Sequence, residues 1–500
     1  MPKKKTVTLY KSGNILLVDP TTDRIFELLK PVLSFTETQK ARGAEAYSRK
    51  RSGRSLFDRI EHTLLELDHQ ERIATAFGFW KLIRDTLRKH GYEVKFKDLT
   101  PIDVKKLKPY WNNIKDYELR DNQPEFIKKV LTNRCGRFDC PPGFGKSFMI
   151  GLIAALLPKA RIDVVTRRVS VLRDRIYPEL IQMVGDVGIV GGGKNVKKKR
   201  VMCYTVGSMN HATASDCDIL FGDECHELAA DNSAAELVRW QNSRNYGLSA
   251  SNDMRYDGKD LRMHGVFGPI ILSVDYEQAK NANMVVPIKV SWSSVVMDYD
   301  PCGNTDNDVE KKRLGFWRNE WRNAVIAEDA RRYDEDTQVL ITVETLEHAM
   351  NLKRLLPEFT LVYREDGLSP TDRAKYAKQG CCKTTEPLMD VNRRQKLTQD
   401  FEKGKLKKVI CTTVWNVGVS FNNLAVLIRA DGGSSSINDI QIPGRVSRTA
   451  KDKTHGLVHD YLDQFNQAYK VRARNRAKTY DQNRWEQEFP RKSMMEEYLG

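Results

Sequence analysis

Residues Pro141-Pro142-Gly143-Phe144-Gly145-Lys146-Ser147 combine small, turn-forming positions with one cation and one hydroxyl. A loop of this kind turns tightly and aims backbone N–H groups at phosphate oxygens. Lys146 would then reach the β- and γ-phosphates, and the Ser147 hydroxyl would take one coordination place on Mg²⁺. Downstream, the run Leu220-Phe221-Gly222-Asp223-Glu224-Cys225-His226 ends an apolar strand in two carboxylates. Asp223 suits a hold on Mg²⁺, and Glu224 is placed to orient and deprotonate an attacking water. Read singly, the first run is also compatible with a Gly-rich turn before a buried helix, and the second with two acids solvating a strand end. Both in one chain point to binding and hydrolysis of a nucleoside triphosphate with Mg²⁺.

Such groups need rigid elements behind them. Arg137–Cys140 can close a short strand, and Phe148–Leu157 is an apolar segment at helical length whose N-terminus would face an anion. From about Trp111 onward, apolar β-branched runs recur at Ile162–Thr166, Val201–Thr205, Ile219–Gly222, Val339–Val343, Lys408–Thr412 and Val426–Ala430. Helix-compatible segments separate most of them, the pattern of parallel sheets wound on both faces. A polar stretch, Met297–Lys312, divides the runs into two series. The expected organisation is an α/β unit over 111–292, a linker over 293–325 and a second α/β unit over 326–465.

The first 110 residues differ in texture. Thr6–Asp19 suits a hairpin turning at Ser12-Gly13-Asn14. Ala41–Arg88 reads as a charged, helix-compatible region with apolar Leu56, Ile60, Leu64, Leu65 and Leu67, and Tyr92–Phe96 as a short strand. Residues 1–110 are therefore expected to form a small α+β accessory domain, joined through Pro101 to Pro109. Residues 466–500 form a basic and aromatic tail in which Lys470, Arg472, Arg474, Arg476 and Lys478 follow closely. It reads either as a basic helix for nucleic acid or as a solvated helical face.

A chain of 500 residues exceeds one core, at about 100–200 residues per domain. It contains no run of 18 apolar residues, and Met1–Thr8 lacks the apolar stretch of a signal peptide, so no membrane partner and a cytoplasmic location are expected. The formal net charge of +16 favours a polyanionic partner. The nine cysteines, including Cys135, Cys140 and the adjacent Cys381 and Cys382, lack the spacing of a disulfide framework or a zinc site and read as reduced thiols.

The Asp-Glu-Cys-His tetrad resembles motif II of the superfamily 2 helicases and translocases, and further segments resemble that family's motifs in chain order. Leu119–Gln123 resembles the segment before the phosphate loop, which implies that Gln123 reads the adenine edge. Val164–Arg168 and Tyr204–Ser208 resemble motifs Ia and Ib, Leu340–Thr345 motif IV, and Thr412–Phe421 motif V, with Val417 and Ser420 at positions that are often charged. Gly247–Ser251 resembles motif III, with Ser251 and Asn252 departing from the usual Thr and Pro. Gln441-Ile442-Pro443-Gly444-Arg445-Val446-Ser447-Arg448 resembles motif VI. The run Met254–Leu261 followed by Val266–Ile270 is similar to the subgroup containing phage UvsW-type, type III restriction and XPB-like proteins.

The resemblance spans roughly 115–465 and implies two RecA-like domains in tandem behind the α+β accessory domain. It implies that His226 and Gly418 join Gln123 and the loop residues Pro142 to Ser147 around ATP. Arg445 and Arg448 would act on the developing γ-phosphate charge, with Gln441 bridging to His226 or the triphosphate. Thr166, Arg167, Thr205, Thr342 and Thr412 would hold a DNA backbone. The implied activity is ATP-driven unwinding or branch migration of forked or junction DNA by a monomer, in phage replication, recombination or repair, within the host cytoplasm and alongside replication or recombination proteins. An RNA helicase of the same superfamily, a motor subunit of a restriction complex and a binding protein with an inactive ATPase are the alternatives.

Overall fold

The computed structural model describes residues 5–40, 52, 57–211, 217–229, 237, 242–249, 260–303, 305, 307–364, 367–382, 388–415, 419, 421–435 and 438–499. The chain divides into two compact units, Met1–Cys140 with Gly145–Val274, and Asp275–Gly500 with Pro141–Phe144.

The first unit is built on an eight-stranded sheet. Its order is Lys194–Val196, Val187–Gly191, Val201–Thr205, Ile162–Thr166, Ile219–Asp223, Arg244–Ser249, Cys135–Asp139 and Ile270–Ser273. All neighbours are parallel except the Val187–Gly191/Lys194–Val196 hairpin. The central strands are buried on both faces, as strands covered on two sides are. The helix Lys146–Leu156 is apolar all round and buries Met149, Ile150, Leu152, Ile153 and Leu156. Gly151 lets the helix Tyr177–Val184 lie close against it, since a Cβ there would sit 2.4 Å from Met183 Sδ.

The same unit carries a five-stranded sheet ordered Leu65–Leu67, Ile73–Ala76, Ile15–Asp19, Thr6–Ser12 and Glu93–Asp98, backed by helices Asp23–Leu29 and Trp80–Lys89. Thr6–Ser12 and Ile15–Asp19 pair as the expected hairpin. The helical expectation for Ala41–Arg88 fails over Phe57–Ala76, which is three strands. The reason is turn chemistry at Asp68. Its Oδ1 accepts from the N–H groups of Gln70 and Arg72, both at 2.9 Å, while Glu71 takes the left-handed φ of +58°. The chain therefore reverses and puts Leu65 and Ile73 into the core. Leu56 lies outside the described residues.

The second unit holds a seven-stranded, wholly parallel sheet ordered Thr360–Val362, Lys408–Cys411, Val339–Thr342, Val426–Arg429, Gly456–Asp463, Ile288–Val295 and Glu486–Glu488. Two expectations are corrected here. Residues 293–325 are not a linker: Ile288–Val295 is a sheet strand, and Val295, Cys302, Phe316 and Trp317 belong to the core. The polar residues between them terminate and cap local structure. Asp300 accepts from Cys302 N at 2.9 Å, and Asn307 caps the helix Asp308–Lys312. Nor are residues 466–500 a tail. The helix Gln467–Gln482 buries Tyr469, Ala473, Ala477 and Tyr480, and Arg476, 1 % exposed, pairs with Asp460 at 2.9 Å. A buried, paired arginine is indistinguishable in composition from a solvated one.

Candidate functional site: a phosphate loop facing an acidic strand end

In the first unit the carboxyl ends of Ile219–Asp223, Arg244–Ser249 and Cys135–Asp139 share one edge, with Asp223 opposite Leu248 and Ser249 opposite Asp139. Crevices outside such ends are where open parallel sheets bind ligands. The phosphate loop leaves Cys135–Asp139 at this edge. Gly143 and Gly145 have φ of +91° and +85°, a backbone region where a side chain is strained, so glycine is required for the turn. Lys146 and Ser147, both buried, open the helix that follows. Gln123 is buried at the start of the helix Gln123–Thr132 and accepts from Arg120 N at 3.0 Å. A Cβ on Gly145 would lie 3.5 Å from its Nε2, so this carboxamide stands beside the loop.

The acidic pair ends the central strand. Asp223 is fully buried, and its Oδ1 has no hydrogen-bond partner among the described residues. Glu224 adopts a φ of +48°, a left-handed conformation rare for a residue with a side chain. The kink ends the strand and turns the Glu224 carboxylate toward Lys146 Nζ, 3.4 Å away. His226 Nδ1 lies 3.4 Å from the other Glu224 oxygen and 2.7 Å from Ser249 Oγ, at the end of the next strand. Burial raises the Asp223 carboxyl, with Arg175 opposing and Glu224 adding to the rise. Burial would raise Glu224 too, but Lys146, His226 and Arg175 together outweigh it and hold this carboxyl below its usual value. Glu224 is thus an ionised acceptor, as a group that takes a proton from water must be.

Arg175 escaped the sequence reading. Its Nε donates to Ser147 Oγ at 3.0 Å and its Nη2 to Asp223 Oδ2 at 3.5 Å. It sits in a π-helical turn, Leu172–Ile176, whose extra residue leaves no periodic signal in the sequence. Arg168 was likewise noted only as part of a motif. It forms a two-pronged pair with Glu227, Nε lying 2.9 and 3.0 Å from the two carboxylate oxygens.

The donor set fits a triphosphate and a divalent cation: an anion-facing helix start, a buried lysine, a hydroxyl, and a buried carboxylate with one oxygen unspent. Of the residues expected on DNA, Arg167 is exposed. Thr166, Thr205, Thr342 and Thr412 are buried at strand ends, and two of these hydroxyls have protein partners. Thr205 Oγ1 lies 2.8 Å from Ser208 Oγ, and Thr342 Oγ1 donates to Ile428 O at 3.4 Å. In the second unit Arg445 and Arg448 flank the end of a short 3₁₀ turn, Pro443–Ser447, and Gln441 ends the helix Asn438–Gln441. Lys453 Nζ donates to Arg448 O at 2.9 Å. Gly418, most of Met254–Leu261, Ser251 and the centre of Thr412–Phe421 lie outside the described residues.

Residues 322–450 match the family model described as the helicase conserved C-terminal domain. The chain is 24% identical over 432 residues to "Putative helicase 22" of Sulfolobus islandicus filamentous virus, covering 75% of this chain and 70% of that protein. It is 24% identical over 400 residues to "ATP-dependent DNA helicase uvsW" of Enterobacteria phage T4, covering 75% and 72%. Among solved structures, S. cerevisiae Dbp5 bound to RNA and ADP BeF3 superposes with a TM-score of 0.52 at 12% identity, over 80% of this chain and all of that one. That likeness establishes the fold.

Proposed function

We propose that this chain, an ATP-dependent helicase of superfamily 2 in the UvsW-like branch, translocates on DNA and unwinds or branch-migrates forked and junction structures. The observation that carries the reading is the meeting of Lys146, Ser147, Asp223 and Glu224 at one sheet edge. Lys146 binds the β/γ-phosphates, Gln123 the adenine edge, and the loop N–H groups the phosphate oxygens. Ser147 and Asp223 would hold Mg²⁺, which when bound offsets phosphate charge. Glu224 orients the attacking water and takes its proton. Arg445 and Arg448 meet the negative charge that develops on the γ-phosphate.

The work per cycle is modest. One base-pair step of DNA holds about 1.4 kcal/mol of stacking, and branch migration replaces each pair it breaks. The charge of +16 supports a polyanionic track, and binding should weaken with salt in proportion to the phosphates contacted. The deciding experiment compares ATP hydrolysis stimulated by forks, four-way junctions, single-stranded DNA and RNA, with unwinding assays and Lys146→Ala as control. Stimulation by branched DNA is expected; stimulation by RNA alone would overturn the DNA assignment.

A further inference from the structure

The segment Val169–Val184 runs as one helix interrupted by the π turn Leu172–Ile176. A π turn is rare and recurs inside α-helices at functional sites. Here Arg173 pairs with its neighbour Asp174 at 2.8 Å, whereas Arg175 projects onto the helix start at Ser147 and the strand end at Asp223. The helix packs against Lys146–Leu156 and buries Leu172, Ile176 and Leu180, so the position of the Arg175 guanidinium is set by the fold.

The oxygens that Arg175 engages, Ser147 Oγ and Asp223 Oδ2, belong to the two residues assigned above to the divalent cation. Asp223 Oδ1 stays open to a metal ion, but a guanidinium already seated on Ser147 Oγ and Asp223 Oδ2 takes part of that pair's acceptor capacity, and two cations crowded onto one carboxylate and one hydroxyl repel each other. A second carboxylate, Glu179, lies one turn along the helix, within the influence of both Arg175 and Asp223. It offers the guanidinium another partner when it leaves the pair.

We propose that Arg175 is a displaceable counter-charge for the Ser147–Asp223 pair, an internal competitor of the divalent cation. Metal entry then requires this side chain to move, and metal binding is coupled to the π turn that carries it. The inference rests on the proposed reading of this site as one for Mg²⁺ and ATP. Arg175 acts as a positioning residue through the pair it occupies.

The test uses the full chain and a fluorescent ATP analogue, with binding followed as Mg²⁺ is titrated, for wild type, Arg175→Gln and Arg175→Lys. Removing the competitor should lower the Mg²⁺ midpoint by about fivefold or more, the lower end of coupling between linked sites. Arg175→Lys keeps the charge without the fork and should fall between. Mn²⁺ binding without nucleotide, read by its EPR signal, should tighten in the same order. An unchanged or raised midpoint in variants that still bind the analogue would overturn the proposal. If Arg175→Gln does not fold, the Arg175→Lys midpoint decides alone, and equality with wild type counts against it. A wild-type chain that binds no nucleotide at any Mg²⁺ concentration overturns instead the nucleotide-site reading beneath it.

Discussion

Lys146 Nζ stands 3.4 Å from Glu224 Oε1, so the lysine that opens the helix and the carboxylate that ends the strand neutralise each other. On the proposed reading, an incoming phosphate would compete for this lysine and free the carboxylate for water. The two partners should therefore fail differently. Glu224→Gln is expected to retain ATP binding and lose hydrolysis by about 10²–10⁴-fold, the usual contribution of a positioned base. Lys146→Ala is expected to lose binding as well. Nucleotide-binding and steady-state hydrolysis measurements on both variants check this, and equal loss of binding would contradict it.

His226 Nδ1 reaches both Ser249 Oγ and Glu224, linking the strand end at 249 to the acidic loop. Ser249→Ala should lower kcat with KM for ATP little changed, because the substituted hydroxyl holds His226 and would act on the proposed site through it. A loss of about 1 kcal/mol, a typical net hydrogen bond, corresponds to roughly fivefold in rate. A change in KM alone would show that the contact serves binding.

Gly78 abuts the helix Asp260–Phe267: a Cβ built there would meet His264 O at 2.1 Å and Gly265 O at 2.5 Å. Both obstacles are backbone and neither can swing aside. Gly78→Ala should destabilise the chain by about 2 kcal/mol or more, as overpacking does. A urea denaturation midpoint equal to wild type would show that the accessory sheet can shift without cost.

His348 is fully buried, and its Nε2 lies 2.9 Å from Asn323 Oδ1. Burial, helped by Arg322, pushes its pKa down from 6.5 to about 3. Below pH 6.5 the unfolded chain takes up a proton that the folded one refuses, so stability present above that value is lost as pH falls toward 3. Between pH 7.5 and 5 the loss should be about 2 kcal/mol. His348→Gln, which can still donate to Asn323, should lose less by that amount over the same interval. Parallel urea-midpoint curves for the two proteins would refute the assignment.

The small-residue loop and apolar helix around 141–156 are legible in the sequence because each obeys a local rule: glycines where a left-handed turn needs them, then an unbroken apolar run of helical length. The parallel α/β class is legible for the same reason. Arg175 is not, since its role depends on a π turn and on a helix packed beside the loop through Gly151. The strands at 57–76 hide behind helix-compatible leucines and charges until the Asp68 turn is counted. The strand Ile288–Val295 and the helix Gln467–Gln482 hide because their partners are remote, and a polar or basic surrounding mimics a linker or a tail.

That remoteness bears on how the protein is made. Lys289, on a strand near the start of the second unit, pairs with Glu486 on the sheet's edge strand, 197 residues later. At ribosomal rates of about 5–20 residues per second, the earlier strand waits roughly 10–40 s for that neighbour to be synthesised. The first unit's sheet is complete by Ser273 and can settle during that interval. The second emerges with an unpaired strand edge, so nascent chains should depend on chaperone shielding most while residues 288–456 are being translated.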